Sequence, residues 1–189
     1  MVEADDAKKV VFLRGPRVTL RPFALADLPT LLVWVNEPEI RRFITRPLPV
    51  NEAQEREFIE KTSAGRESLG FAICDRSTQE MIGCCGLHGV SWTSRHAEMG
   101  IFLADPARRG GGLGSEAFSA LLDYAFDSLG LHRCWLRVYA DNAHAIRCYE
   151  RLGFVREGVD REAHFGGGVF IDVVRYSMLD REWRSRRSE

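Results

Sequence analysis

Arg108-Arg109-Gly110-Gly111-Gly112-Leu113-Gly114-Ser115 is the stretch on which the fold turns. An apolar, strand-like run over 97–103 precedes it, and an amphipathic run over 113–129 follows it. Strand, glycine loop and helix in that order make a site for a phosphate group. Glycines let main-chain N–H groups approach an anion closely, and a helix start adds partial positive charge. Arg108 and Arg109 are expected to add full charges.

Several readings of the loop compete. A P-loop needs Gly-Lys-Ser/Thr after its second glycine, and Leu113-Gly114-Ser115 has no lysine, so that reading fails. Gly112-x-Gly114-x-x-Ala117 fits the dinucleotide fingerprint, but that fold sets its loop tightly after the strand and adds further strand–helix units. Here residues 104–109 intervene, and one such unit is visible. An ordinary glycine-rich connection is the plainest alternative. Arg109-x-x-Gly112-x-Gly114 resembles the acyl-CoA signature of the GCN5-related N-acetyltransferases, and that reading fits best.

Working outward, 97–103 alternates. Ala97, Met99, Ile101 and Leu103 share one face; His96, Glu98, Gly100 and Phe102 share the other. The following helix puts Leu113, Ala117, Leu121, Ala125 and Leu129 on a stripe widened by Phe118, Leu122 and Phe126, and Gly130 ends it. A strand over 134–139 then lies parallel to 97–103 by the crossover rule. Asn142 caps a helix that runs to Arg151 and stops at Gly153. Two last strands, 154–159 and 169–178, flank Gly166-Gly167-Gly168. Before the loop, 18–21 reads as a strand. Asp27 sits where a helix cap belongs, with Leu28, Leu31, Leu32 and Val35 at helical spacing to Asn36. A short turn or helix follows from Glu37 to Phe43, then a loop over 46–49. Asn51-x-x-Gln54 opens a helix to Ser63. The runs 69–74 and 81–87 make a hairpin, the second softened by Gly83 and Gly86.

The 189 residues suffice for one domain, placed at 10–180, with charged ends over 1–9 and 181–189 expected to be flexible. Apolar residues are 45% and charged residues 28%, a profile of soluble globular chains. With a net charge of −1 there is no global basic field to recruit nucleic acid or anionic lipid. No run is long enough to span a membrane and no leader pattern opens the chain, so a cytoplasmic location is expected. Five cysteines without C-x-x-C spacing read as reduced, buried thiols, and the scattered histidines give no metal site.

A second stretch, Asn142-Ala143-His144-Ala145-Ile146-Arg147-Cys148-Tyr149-Glu150-Arg151-Leu152-Gly153-Phe154, joins the loop in resembling the GCN5-related N-acetyltransferase (GNAT) superfamily. Two motifs in the right order and at the right separation are far more specific than either alone. Arg17-Val18-Thr19-Leu20-Arg21-Pro22 with Trp34-Val35-Asn36-Glu37, and the ending over 172–178 with Glu182-Trp183, look like the RimJ/RimL branch, which acetylates ribosomal-protein N-termini. The resemblance covers nearly the whole chain. It implies an α/β (α+β) domain: a mixed, mostly antiparallel sheet flanked by helices, with acetyl-CoA in a gap between two splayed parallel strands.

By that resemblance, main-chain groups of Ile101, Phe102 and Leu103 meet the pantetheine amides. Arg108, Arg109, Gly110, Gly111, Gly112, Leu113, Gly114 and Ser115 hold the pyrophosphate. Asn142 contacts the pantetheine arm or is a plain helix cap, and Arg147 reaches the adenosine phosphates or is a solvated side chain. The implied reaction passes acetyl directly to a primary amine, which must lose a proton to attack; the departing thiolate gains from a donor. Tyr149 is the candidate donor. Glu98 is the candidate base, His96 on the same face could substitute, and His164 could act from the last loop. Trp34, Asn36, Glu37, Phe43, Phe165 and Phe170 would border the acceptor, an aromatic and acidic setting suited to a cation. A protein N-terminus, a polyamine, an aminoglycoside and an amino acid all remain open. So do a catalytically silent acyl-CoA sensor and, through the dinucleotide coincidence, an oxidoreductase. An unpaired edge strand would allow a homodimer.

Overall fold

The computed structural model describes residues 10–44 and 48–188. The segment 1–9, part of the loop expected over 46–49, and Glu189 lie outside the described residues. One sheet of eight strands organises the chain: β1 (Leu13–Arg14), β2 (Val18–Pro22), β3 (Ser68–Asp75), β4 (Met81–Ser91), β5 (His96–Leu103), β6 (Arg133–Tyr139), β7 (Val155–Gly166) and β8 (Val169–Leu179). Their spatial order is β1-β2-β3-β4-β5-β6-β8-β7. Every neighbouring pair is antiparallel except β5 and β6. The helices are α1 (Leu28–Asn36), α2 (Pro38–Arg41), α3 (Glu52–Ala64), α4 (Leu113–Asp123, continued by a π turn over Tyr124–Ser128), α5 (Ala143–Leu152) and α6 (Asp180–Arg187).

Alternation along the strands supplies one core on each face. The larger core joins Val18, Leu20, Ile73, Leu87, Ala97, Met99, Leu136 and Val138 to the stripe of α4, to Tyr149 of α5 and to Trp183 of α6. The smaller one sets Leu28, Leu31 and Ile59 of α1 and α3 on Ala72, Cys74 and Cys84, with Trp34 and Phe102 packed beside it. The apolar face read for α4 is the face buried: Ala117, Phe118, Leu121, Leu122, Ala125 and Phe126 are enclosed. All five cysteines are free thiols, four of them buried.

Local signals explain several ends. Asn51 Oδ1 accepts from Gln54 N at 3.0 Å and Gln54 Oε1 from Asn51 N at 2.9 Å, the reciprocal cap expected for α3. Asp27 departs from its expected role. It makes no side-chain cap for α1. Instead its two oxygens accept from Arg21 Nη1 and Nη2 at 2.7 and 2.8 Å, and Oδ2 also accepts from Ala24 N. Both side chains of that ion pair are 4% exposed, and the carboxylate holds the Arg21 guanidinium more firmly protonated.

The C-terminal stretch also departs from expectation. Residues 181–187, read as part of a flexible tail, belong to α6, which begins at Asp180. Trp183 anchors it, 7% exposed, with Nε1 donating to Asp123 at 2.8 Å. Strand β7 runs past 159 to Gly166, because register shifts between Arg156 and Gly158 and between Asp160 and His164 break the alternation that marks a strand.

Candidate active site

Strands β5 and β6 pair only over three positions: His96 with Arg133, Ala97 with Cys134 and Glu98 with Trp135. Beyond Glu98, β5 stays paired with β4 as far as Leu103 opposite Gly83, and β6 with β8 as far as Tyr139 opposite Val173. The two parallel strands therefore separate, and among the described residues the facing edge of β5 from Met99 onward has no strand beside it. A wedge opens in the middle of the sheet, with β5 offering main-chain groups to an extended guest.

The glycine loop stands at the wide end of that wedge. Gly110 and Gly112 have φ of 84° and 86°, left-handed values that favour glycine. A Cβ on Gly110 or Gly111 would meet nothing within 4 Å, so the loop leaves a bare cradle. Gly112 precedes α4, whose first N–H groups have no partner inside the helix. Gly114, in the first turn, sits over Ile101 and Leu103 of β5. The chemistry of this donor set, neutral N–H groups at the start of an 11-residue helix, fits a diphosphate.

The arginines act differently from expectation. Arg108 donates to Asp75 Oδ2 at 2.7 Å and Glu80 Oε2 at 2.9 Å, clamping the β3–β4 turn. Arg109 folds back on the end of β5, donating to the carbonyls of Leu103 and Ala104 at 3.0 and 3.1 Å. Their side chains shape the loop and do not point a spare charge into it. Sequence reading gave no ligand-side role to Arg17, yet Arg17, just before β2, holds the loop. Its Nη1 donates to the Gly111 carbonyl at 2.9 Å and its Nε to Glu116 of α4 at 3.0 Å. Ser115 Oγ lies 3.1 Å from Cys148 Sγ, which ties α4 to α5. Asn142 Oδ1 accepts from Ala145 N at 3.1 Å, a cap for α5, and Arg147 is exposed on the same helix.

On the core face of the wedge, Tyr149 is 7% exposed, its ring 5.5 Å from Phe118 and 5.9 Å from Phe154. Burial pushes its phenol well above the usual range, so it holds its proton at neutral pH. On the opposite face, Glu98 accepts from Arg137 Nε at 2.9 Å and Nη2 at 3.3 Å. Both carboxylate oxygens are engaged. His96 pairs with Arg133 at the closed end of the strand pair, its Nδ1 enclosed and without a partner among the described residues. His164 lies in β7, not in a loop, stacked on Tyr139 with centroids 4.0 Å apart.

The expected acceptor residues are not one cluster. Trp34 meets Phe102 edge-on at 6.2 Å and so borders the wedge. Asn36 faces elsewhere: its Nδ2 donates to Leu32 O and Val50 O, and its Oδ1 accepts from Val50 N, so its amide is a staple and offers nothing to a ligand. Glu37 is exposed at the start of α2. Phe43 lies under Arg42 at 5.1 Å, and Arg42 reaches Asp141 beyond β6 at 2.8 Å. Phe165 and Phe170 pack on each other at 5.0 Å on the tip of the β7–β8 hairpin, 61% and 65% exposed.

Comparison with known proteins fits this wedge and loop. Residues 17–155 match the family profile of the acetyltransferase (GNAT) domain. The chain belongs to the GNAT acetyltransferase family. An uncharacterised N-acetyltransferase of Bacillus licheniformis, p20, is 33% identical over 170 residues, 88% of this chain and 95% of that protein. The spermidine N(1)-acetyltransferase of Escherichia coli is 30% identical over 167 residues, covering 88% of each. Among solved structures, the spermidine N-acetyltransferase of Vibrio cholerae in complex with CoA and spermine superposes with a TM-score of 0.83 at 27% identity, over 89% of this chain and 98% of that one. Like its family, the chain is an acetyl-CoA-dependent N-acetyltransferase that moves an acetyl group to an amine. Neither the sensor nor the oxidoreductase reading gains support.

Proposed function

We propose that this GNAT enzyme acetylates a primary amine of a small aliphatic polyamine. The wedge beyond Glu98 and Trp135, ending at the Gly110–Gly111–Gly112 cradle, is the observation that carries the reading. Acetyl-CoA supplies the activated acetyl thioester. Main-chain N–H groups from Gly110 to Gly114 hold its diphosphate, and main-chain groups of Ile101, Phe102 and Leu103 pair with its arm. Asn142 and Arg147 contribute at the α5 side. Tyr149 gives a proton to the departing sulfur from the core face, so amine and proton donor act from opposite faces of the sheet. Trp34 and Phe102 offer aromatic surface to a cationic chain. Support for the acceptor class comes from the spermidine-acetylating relatives, whose likeness covers most of the chain.

A second reading, a ribosomal-protein N-terminus as acceptor, is favoured by the RimJ/RimL-like opening. A Bacillus subtilis putative ribosomal N-acetyltransferase, 33% identical over 107 residues, also supports it. Five free thiols suit a reducing compartment, so a cytoplasmic setting is part of the proposal. Pairing of two copies along β7, the last strand of the sheet, is our reading of how a homodimer would form. Release of free thiol from acetyl-CoA, measured with spermidine, spermine and N-terminal peptides in parallel, separates the acceptors. Turnover confined to the peptides would reject the polyamine.

A further inference from the structure

The face of the sheet toward α1 and α3 carries a fourth possible proton acceptor that sequence reading passed over. His88 on β4 stands directly opposite Glu98 in the ladder, so the two side chains share that face. Two positions along, Gly86 stands opposite Gly100. The His88 ring lies along the strands over these two residues. A Cβ on Gly100 would be 3.5 Å from its Nε2, and a Cβ on Gly86 also 3.5 Å. Neither glycine is needed for a left-handed turn. A Cβ on Gly86 would first meet the Leu69 carbonyl at 2.6 Å, whereas on Gly100 the imidazole is the nearest group, so the ring sits close over Gly100.

The direction of the ring matters. Pairing of β5 with β6 ends at Glu98, so the wedge begins beside Met99 and Gly100. Nε2 of His88, close to Gly100, is therefore at the narrow end of the opening, toward which the thioester end of an arm lying along Ile101 to Leu103 would point. Of the earlier candidates, His164 is stacked on Tyr139 in β7, and the other two share this face. His96 is at the closed end with an enclosed nitrogen, and Glu98 has both oxygens on Arg137. Imidazole is the side chain best suited to take up and release a proton near neutral pH.

We propose that His88 is the catalytic base, taking a proton from the acceptor ammonium through Nε2. This rests on the reading of the wedge as the acetyl-CoA site. The freed nitrogen lone pair forms the bond to the acetyl carbon as the carbon–sulfur bond breaks and its electron pair goes to sulfur. The nitrogen then loses a second proton, matched by the one that sulfur gains. The proton on His88 passes to solvent. Glu98, held by Arg137 across the ladder, is a neighbour that fixes the charge of the site rather than the acceptor of the proton.

The test begins with wild-type turnover of acetyl-CoA with spermidine, spermine and N-terminal peptides, read as free thiol. On the best acceptor, His88→Gln is expected to lower kcat by ~100-fold, within the usual worth of a general base, with KM for acetyl-CoA and the unfolding midpoint unchanged. Added imidazole should restore part of the rate of His88→Ala, which a structural role would not allow. Wild-type kcat in His88→Gln would overturn the assignment, and so would a loss in His88→Ala that imidazole leaves untouched. A wild-type protein inert toward every amine would overturn the functional reading itself, and this inference with it.

Discussion

Arg108 belongs to the glycine-loop motif, yet its side chain is held by two carboxylates of the neighbouring turn. Its guanidinium clamps Asp75 and Glu80, so Arg108→Ala is expected to leave acetyl-CoA affinity near wild type in calorimetry while lowering stability. Asp75 is pulled down to about 2, first by the Ser77 hydroxyl and then by main-chain N–H groups of Ser77 and Thr78, with Arg108 adding to them. An unfolded aspartate titrates at ~3.9, so between that value and about 2 the unfolded chain binds more protons. The contribution of Asp75 is complete above ~4 and is lost as the pH falls through about 2. Asp75→Asn should flatten that part of an acid-unfolding curve. Tyr149→Phe keeps the ring between Phe118 and Phe154. It should leave the melting temperature almost unchanged while kcat drops by ~100-fold, the scale of a lost general acid; unchanged kcat in a thiol-release assay would remove Tyr149 from the chemistry. The partners that redefine Arg108, Glu98 and Asn36 could not be read in advance. Asn36 needs Val50, Glu98 needs Arg137 on a strand that pairs through the crossover, and Arg108 needs a turn 28 to 33 residues earlier.

At the scale of elements, what periodicity and punctuation could reveal was legible. The α4 stripe, the β3–β4 hairpin, the Asn51 and Asn142 caps and the parallel crossover all follow from spacing, because each signal lies within one turn or one strand. Strand β7 was read short because its bulges interrupt the alternation, and α6 was missed because seven of its eight residues are polar and a single indole attaches it. The glycine cradle permits a graded test. Gly112 has φ +86°, and a Cβ there would come 3.1 Å from Arg17 Nη2, whereas Gly111 is free of both constraints. Gly112→Ala should destabilise by about 1 kcal/mol from backbone strain and weaken acetyl-CoA binding as the loop shifts. Gly111→Ala should change neither, by thermal unfolding and calorimetry.

For the whole molecule, the decisive feature is that one sheet is closed by helices on both faces yet left open between two of its central strands. The larger core reaches from β2 to α6, so stability of the wedge depends on residues far from it. Trp183 closes that core under α4. Trp183→Ala should cost about 3 kcal/mol, the low end for emptying an aromatic core site, measured by denaturant unfolding. A change below ~0.5 kcal/mol, the size of a surface substitution, would mean that α6 does not hold the core. The central claim is that acetyl-CoA enters between β5 and β6 with its diphosphate on the loop. A crystal structure determined with CoA bound tests it most directly. The expected density places the diphosphate within hydrogen-bond distance of the N–H groups of Gly110 to Gly114 and the arm beside Ile101 to Leu103. Density for CoA elsewhere, with β5 and β6 still separated and nothing between them, would contradict it.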